Sequence, residues 1–153
     1  MRSPEWHPLS PQAARQAANH SVAGLSIIDY YGRPRTVLYR VLTPLGYWVY
    51  VTHQTLAHVR KRHHRTAVTM LDNLSHILNN PDIVVPDYEL CTRHLYYKVY
   101  RGRLYAVPVP ERDEVRYVAT MHRTEHIKGL KRGFIAARDI LYLRGGFRWH
   151  KWK

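Results

Sequence analysis

The chain predicts an α+β domain: two adjacent helices packed on a mostly antiparallel β-meander, with an N-terminal helix and hairpin and a C-terminal helix. Three observations carry this expectation. A single apolar stripe of helical period lies near the middle. Period-two runs flank it on both sides. Turn signals set consecutive runs beside one another.

In chain order, residues 1–10 are Pro-rich and read as an irregular arm. "PQAARQAANHSVAG" predicts a short helix from about Pro11, stopped by Gly24. "RTVLYRVL" and "YWVYVT" flank "TPLG", whose Pro and Gly suit turn positions, so these runs form a hairpin. Thr52 is an N-cap for a helix from His53 to about Arg62. In the next helix Ala67, Met70, Leu71, Leu74, Ile77 and Leu78 form one stripe, ended by "NNP" at 79–81. The period then becomes two. "DIVVPDYELCTRHLYYKVY" gives a short and a long strand, "RLYAVPVP" the third and "VRYVATM" the last. Pro108 and Pro110 suit an edge or a bulge better than a central ladder. A final helix is expected over about Glu125–Ile140, before the tail "RGGFRWHKWK". All 153 residues read as one domain, with 1–10 and 145–153 as flexible or peripheral ends.

Composition narrows the function. Lys and Arg number 24 against 11 Asp and Glu, a formal net charge of +13. Folding alone does not need this excess, and self-repulsion opposes it, so a polyanionic partner is expected, nucleic acid before an anionic membrane. Twelve Tyr against two Phe suit half-wet surfaces and base stacking. The single cysteine, Cys91, excludes an internal disulfide and a thiol-rich metal site, and its place in an apolar run predicts a small buried side chain. No apolar run is long enough for a membrane span, and no signal region opens the chain, so a cytoplasmic protein is expected.

The densest chemistry is "TLAHVRKRHHRTA", Thr55 to Ala67. It admits four readings: a solvated basic helix, a metal site, a phosphate-binding surface, or acid/base equipment. Metal is disfavoured. His58 and His63 are five positions apart, about 500° around a helix, and no acid accompanies them. No cofactor is expected. Acid/base chemistry has a concrete reason: cleaving RNA without metal needs a base for the 2′-OH, an acid for the leaving 5′-oxygen and cations for the phosphorane. Histidine titrates in the right range and Arg62 offers a bidentate fork.

The strand register adds a second face. A two-residue loop at Arg101-Gly102 sets Lys98 opposite Tyr105. If "ERDE" is a four-residue loop, Thr120 lies opposite Tyr105, giving a row of cation, phenol and hydroxyl. Arg116 shares that face, while Leu95, Tyr97, Val99, Leu104 and Ala106 lie on the more apolar face expected to be the core. In the tail, Trp149 and Trp152 alternate with Lys151, as a single-strand grip would, or as a docked terminus would.

Together "VTHQTLAHVRKRH", "LDNLSHILNNPDIVV", "YYKVY", "LYAVPV" and "VRYVATMH" resemble the barnase/EndoU/colicin/RelE-like ribonuclease superfamily, particularly its phage-associated branch, over about residues 46–123. The matching positions are His58, Arg62-His63, Asn80-Pro81-Asp82, Lys98 and Val118-Ala119-Thr120. Where that group often has an aromatic after the final Thr, this chain has His122. The resemblance implies an α+β, metal-independent ribonuclease acting through a cyclic phosphate. His58, His63, Arg62, Lys98 and Thr120 are then the expected catalytic set. Arg60, Lys61, His64, Tyr105, Arg116, His122, Trp149, Lys151 and Trp152 are the expected nucleic-acid contacts. The expected partners are RNA, of tRNA or mRNA type, and an acidic inhibitor protein. The competing readings are a basic nucleic-acid-binding or regulatory module without chemistry, and an interaction protein for an acidic partner.

Overall fold

The "TPLG" turn closes as expected. Thr43 N–H donates to Tyr47 O and Gly46 N–H to Thr43 O, each at 3.0 Å. It joins β3 (Pro34–Leu42) to β4 (Trp48–Thr52). The computed structural model describes residues 18–62 and 67–153. Before the hairpin lie β1 (Ala18–Asn19), a 3₁₀ turn (His20–Val22) and β2 (Ser26–Ile28). The expected N-terminal helix is therefore corrected over its described part. Ala18–Asn19 pairs with β3, and Asn19 caps only a single turn by accepting from Ser21 N–H. Positions 11–17 lie outside the described residues.

Helix α1 (His53–Arg62) starts where Thr52 Oγ1 accepts from Thr55 N–H at 3.4 Å. Arg60, Lys61 and Arg62 fill its last turn, where cations suit the helix dipole. Helix α2 (Ala67–Asn79) buries Leu74, Ile77 and Leu78 completely. Each such side chain contributes about 1.5–3 kcal/mol on leaving water. The chain then continues through β5 (Ile83–Asp87), β6 (Leu90–Tyr100), β7 (Arg103–Val109), β8 (Glu111–Arg112), β9 (Val115–Tyr117), β10 (His122–Thr124) and β11 (Tyr142–Leu143).

Two sheets result. The first runs β1-β3-β4-β9-β8, with β2 also on β3; the second runs β10-β7-β6-β5-β11. Arg101 and Gly102 both take positive φ, as a tight hairpin loop requires, and Lys98 pairs with Tyr105. The expected four-strand meander is corrected beyond β7. Asp113 and Glu114 also take positive φ and make "ERDE" a two-residue loop, with Arg112 opposite Val115. Proline cannot donate to a ladder, and the chain leaves the second sheet at Pro108–Pro110; their carbonyls still accept from Ala119 and Tyr117 N–H. β9 joins the first sheet, parallel to β4. The strand opposite Tyr105 is β10, and its partner there is Arg123, not Thr120.

Both faces of the second sheet are core. Val84, Tyr96, Tyr100, Val107 and Val109 pack with Val41, Val49 and Val51 of the first sheet and with both helices. Ile83, Val85, Leu95, Tyr97, Leu104 and Ala106 pack under Ile127, Leu130 and Ile135. The apolar face was expected to be core; the face of Lys98, Tyr96 and Val107 is equally buried.

The expected C-terminal helix is also corrected. Residues 125–140 form turns and one 3₁₀ turn at Ala137–Asp139. Gly129 and Gly133 sit at φ +90° and +75°, outside helical geometry. The chain beyond Leu130 lays Ile140, Phe147, Trp149 and Trp152 against the second core. Ile127 N–H donates to Trp152 O at 2.8 Å. Cys91, expected to be buried, is exposed. Among the described residues no helix is long and apolar enough to cross a membrane.

Candidate functional site

Helix α1 turns Thr55 and Val59 inward and presents His58, Arg60, Lys61 and Arg62 to solvent. His58 and Arg62 are one turn apart on the same exposed side. His63 and His64 lie outside the described residues. The first turn of α1 is tied to the link between β9 and β10. Thr55 Oγ1 donates to Val118 O, and Arg35 Nη1 reaches both Thr55 Oγ1 at 2.9 Å and Val118 O at 3.4 Å. Asp29 anchors that arginine at 2.9 Å. Thr120, half-buried, stands two residues beyond this junction. Helix and Val-x-Thr segment, 63 positions apart at Thr55 and Val118, therefore meet.

Lys98 has a different environment from the one its row suggested. It is fully buried. Its Nζ donates to Asn80 O at 3.0 Å and lies 3.3 Å from Asp82 Oδ1. Asp82 Oδ1 also takes Arg144 Nε at 2.7 Å, and its Oδ2 accepts Val99 N–H at 2.8 Å. The Asn-Pro-Asp turn is thus fixed to β6 by Lys98 and Asp82. Tyr105 is half-buried beside Tyr100, with ring centroids 6.5 Å apart, and its cross-strand neighbour Arg123 is exposed. His122, half-buried, lies opposite Ala106. Trp149 and Trp152 pack against the second core, while Lys151 beside them is exposed.

A second cluster, unexpected from sequence apart from Arg116, joins the residue before β4 to β6 and β9. Tyr96 Oη donates to Tyr47 Oη at 2.6 Å, and Tyr47 Oη lies 2.7 Å from His94 Nδ1. Arg116 stacks on the Tyr47 ring, its Cζ 4.1 Å from the centroid, with Glu111 3.9 Å away. Burial, then the neighbouring Tyr96, pushes the Tyr47 phenol far up, so it stays protonated. Burial lifts Tyr96 to about 12. Burial, reinforced by Arg116 and opposed by Glu111, holds His94 below its ordinary value of 6.5. No local signal joins positions 47, 94, 96 and 116; only the pairing of distant strands does. Among the described residues no three His, Cys, Asp or Glu side chains gather in a group fit to hold a metal ion.

A cationic α+β domain with a histidine- and arginine-bearing helix docked beside its sheets has the layout of a protein that handles nucleic acid. The chain belongs to the phage-Barnase-EndoU-ColicinE5/D-RelE like nuclease3 family, whose description matches residues 41–130. None of the curated proteins and none of the solved structures compared with it matches the chain.

Proposed function

We propose that the chain is a metal-independent endoribonuclease, a toxin or phage-type effector acting on cytoplasmic RNA. The observation that carries this reading is the exposed pair His58 and Arg62 on α1, in a chain of nuclease family. One histidine, His58 or His63, takes the 2′-OH proton. The 2′-oxygen then attacks phosphorus, and the P–O5′ bond breaks. The other histidine protonates the departing 5′-oxygen, leaving a 2′,3′-cyclic phosphate. Arg62 stabilises the added negative charge, with Arg60, Lys61 and Arg123 holding neighbouring phosphates. Thr120 and Tyr105 orient the phosphate by hydrogen bonds. Lys98 serves from inside, by fixing the Asn80-Pro81-Asp82 turn.

The test is incubation of the protein with total RNA and a tRNA pool in EDTA, beside His58→Ala and His63→Ala. Cleavage that survives EDTA and is abolished in either variant is the expected result. RNA left intact, yet shifted on a gel with a steep salt dependence, overturns the enzymatic reading and leaves a binding module.

A further inference from the structure

We propose that Arg116 and His94 form a phosphate-binding subsite for single-stranded RNA, distinct from the α1 surface. Its ligand rests on the nuclease reading above; its geometry stands independently. The Arg116 Cζ sits over the Tyr47 ring, 4.1 Å from its centroid. Its Nε is buried and has no hydrogen-bond partner among the described residues. Glu111, at 3.9 Å, is beyond hydrogen-bond distance. The side chain is a quarter exposed, so its terminal nitrogens can meet a phosphate, which takes such donors in pairs.

The second donor follows from the phenol chain. Tyr96 donates to Tyr47, and Tyr47 keeps its own proton to offer His94 Nδ1, 2.7 Å away. A neutral imidazole that accepts at Nδ1 carries its proton at Nε2. In that arrangement His94 is a donor through Nε2, with Arg116 near enough for its charge to act on the ring.

The subsite also has a defined place relative to α1. β9 runs parallel to β4, with Arg116 level with Val49. Two residues on, Val118 is bonded to Thr55 at the start of α1. Thr120 is four residues from Arg116, so at most about 14 Å of extended chain separates them. A strand of RNA lying across Thr120 presents a neighbouring phosphate, not the one being cut, to Arg116.

The experiment uses a 2′-deoxy oligonucleotide, which lacks the 2′-OH that the proposed cleavage needs, and reads fluorescence anisotropy across a salt series. Arg116→Gln is expected to bind about tenfold more weakly, with the slope of log affinity against log salt shallower by about 0.7, the share of one single-strand phosphate. Nitrogen NMR of labelled histidine is expected to show His94 protonated at Nε2 in the wild type and to lose that preference in Tyr47→Phe, which keeps the stacked ring and removes only the hydroxyl. Arg116→Gln that is folded by circular dichroism and binds with unchanged affinity and slope overturns the subsite. So does a His94 resonance that moves with inorganic phosphate but not with the oligonucleotide, because the site then serves a free phosphate group. Arg116-dependent binding without any RNA cleavage by the wild type sinks the nuclease reading and keeps the subsite. Cleavage alongside Arg116-independent binding does the reverse.

Discussion

Replacing Asp82 by Asn separates a structural from a chemical role for Lys98. Asp82 is 2% exposed and receives three donors: Lys98 Nζ, Arg144 Nε and Val99 N–H. Asp82→Asn preserves shape but removes the carboxylate from beside the buried Lys98 ammonium, which keeps its bond to Asn80 O. Arg144, with a side chain 24% exposed, can turn to water. Removing one partner of a buried pair costs about 3–5 kcal/mol, and this escape for Arg144 puts Asp82→Asn near 3–4. Lys98→Met removes the buried cation itself and leaves Asp82 with Arg144 and Val99. It loses the bond to Asn80 O, at a cost of about 1–3 kcal/mol. With a urea m-value of about 2 kcal/mol/M, the unfolding midpoint falls by about 2 M in Asp82→Asn and by about 1 M in Lys98→Met. Tryptophan fluorescence against urea measures both. A midpoint for Lys98→Met at or below that of Asp82→Asn refutes the reasoning, because a buried cation without its carboxylate would then not be the dominant cost. RNA cleavage assayed on the folded Lys98→Met protein completes the separation: activity persists if Lys98 only holds the turn.

Gly129→Ala meets two obstacles, φ of +90° and a Cβ placed 2.8 Å from Ile135 Cγ1 and 2.9 Å from Tyr88 Cδ1. Exposed Tyr88 can yield but Ile135 cannot, so a loss of about 2–4 kcal/mol and a melting point lower by about 5–15 °C are expected by calorimetry. His94 is held below 6.5 when folded, so the unfolded chain takes up its proton first as pH falls. Its stability contribution is complete above pH 6.5, is lost as pH falls below that value, and stops changing below the folded pKa. Chemical denaturation from pH 8 to 5 shows this slope in the wild type, and His94→Gln removes it. Asp29 and Asp87 do not confuse that window: backbone and cationic donors outweigh burial and hold both below 3.8, so their contributions disappear only in stronger acid. Trp152→Ala is expected to cost about 2–4 kcal/mol in urea, because the ring packs on the second core. Weaker RNA binding at unchanged stability would show instead that the ring stacks on bases.

Local chemistry was legible in the sequence where it decided structure. Thr52 as N-cap, "TPLG" as a turn and Arg101-Gly102 as a two-residue loop each require only neighbouring residues, and the structure has all three. The errors came where a distant partner decides. Ile127, Leu130, Phe134 and Ala137 have helix-like spacing, yet Gly129 accommodates the approach of Tyr88 and Ile135, a contact invisible in a one-dimensional pattern. The sequence places "VRYVATM" beside β7, its chain neighbour, but after the two-residue Asp113-Glu114 loop β9 runs parallel to β4. Of the candidate site, the exposure of His58 and Arg62 followed from helical spacing around Val59. The burial of Lys98 did not, because alternation cannot distinguish a sheet covered on one face from one covered on both.

The same buried pairs bear on the charge. Asp29, Asp82 and Asp87 each take cations into the fold: Arg35; Lys98 and Arg144; Arg93 and Lys128. Three acids thus organise five cations, a small part of the 24 Lys and Arg in the chain. The remaining excess has no structural use among these pairs. It is dense in two places: the last turn of α1, and the segment after residue 130, where six Lys and Arg besides Arg144 accompany one acid. The family match ends at residue 130. The segment beyond the matched range carries its own basic side chains while Phe147, Trp149 and Trp152 pack it on the second core. A polyanion long enough to touch both α1 and this segment gains from each. Shortening the oligonucleotide should then reduce affinity and salt dependence together, since fewer phosphates displace fewer counterions.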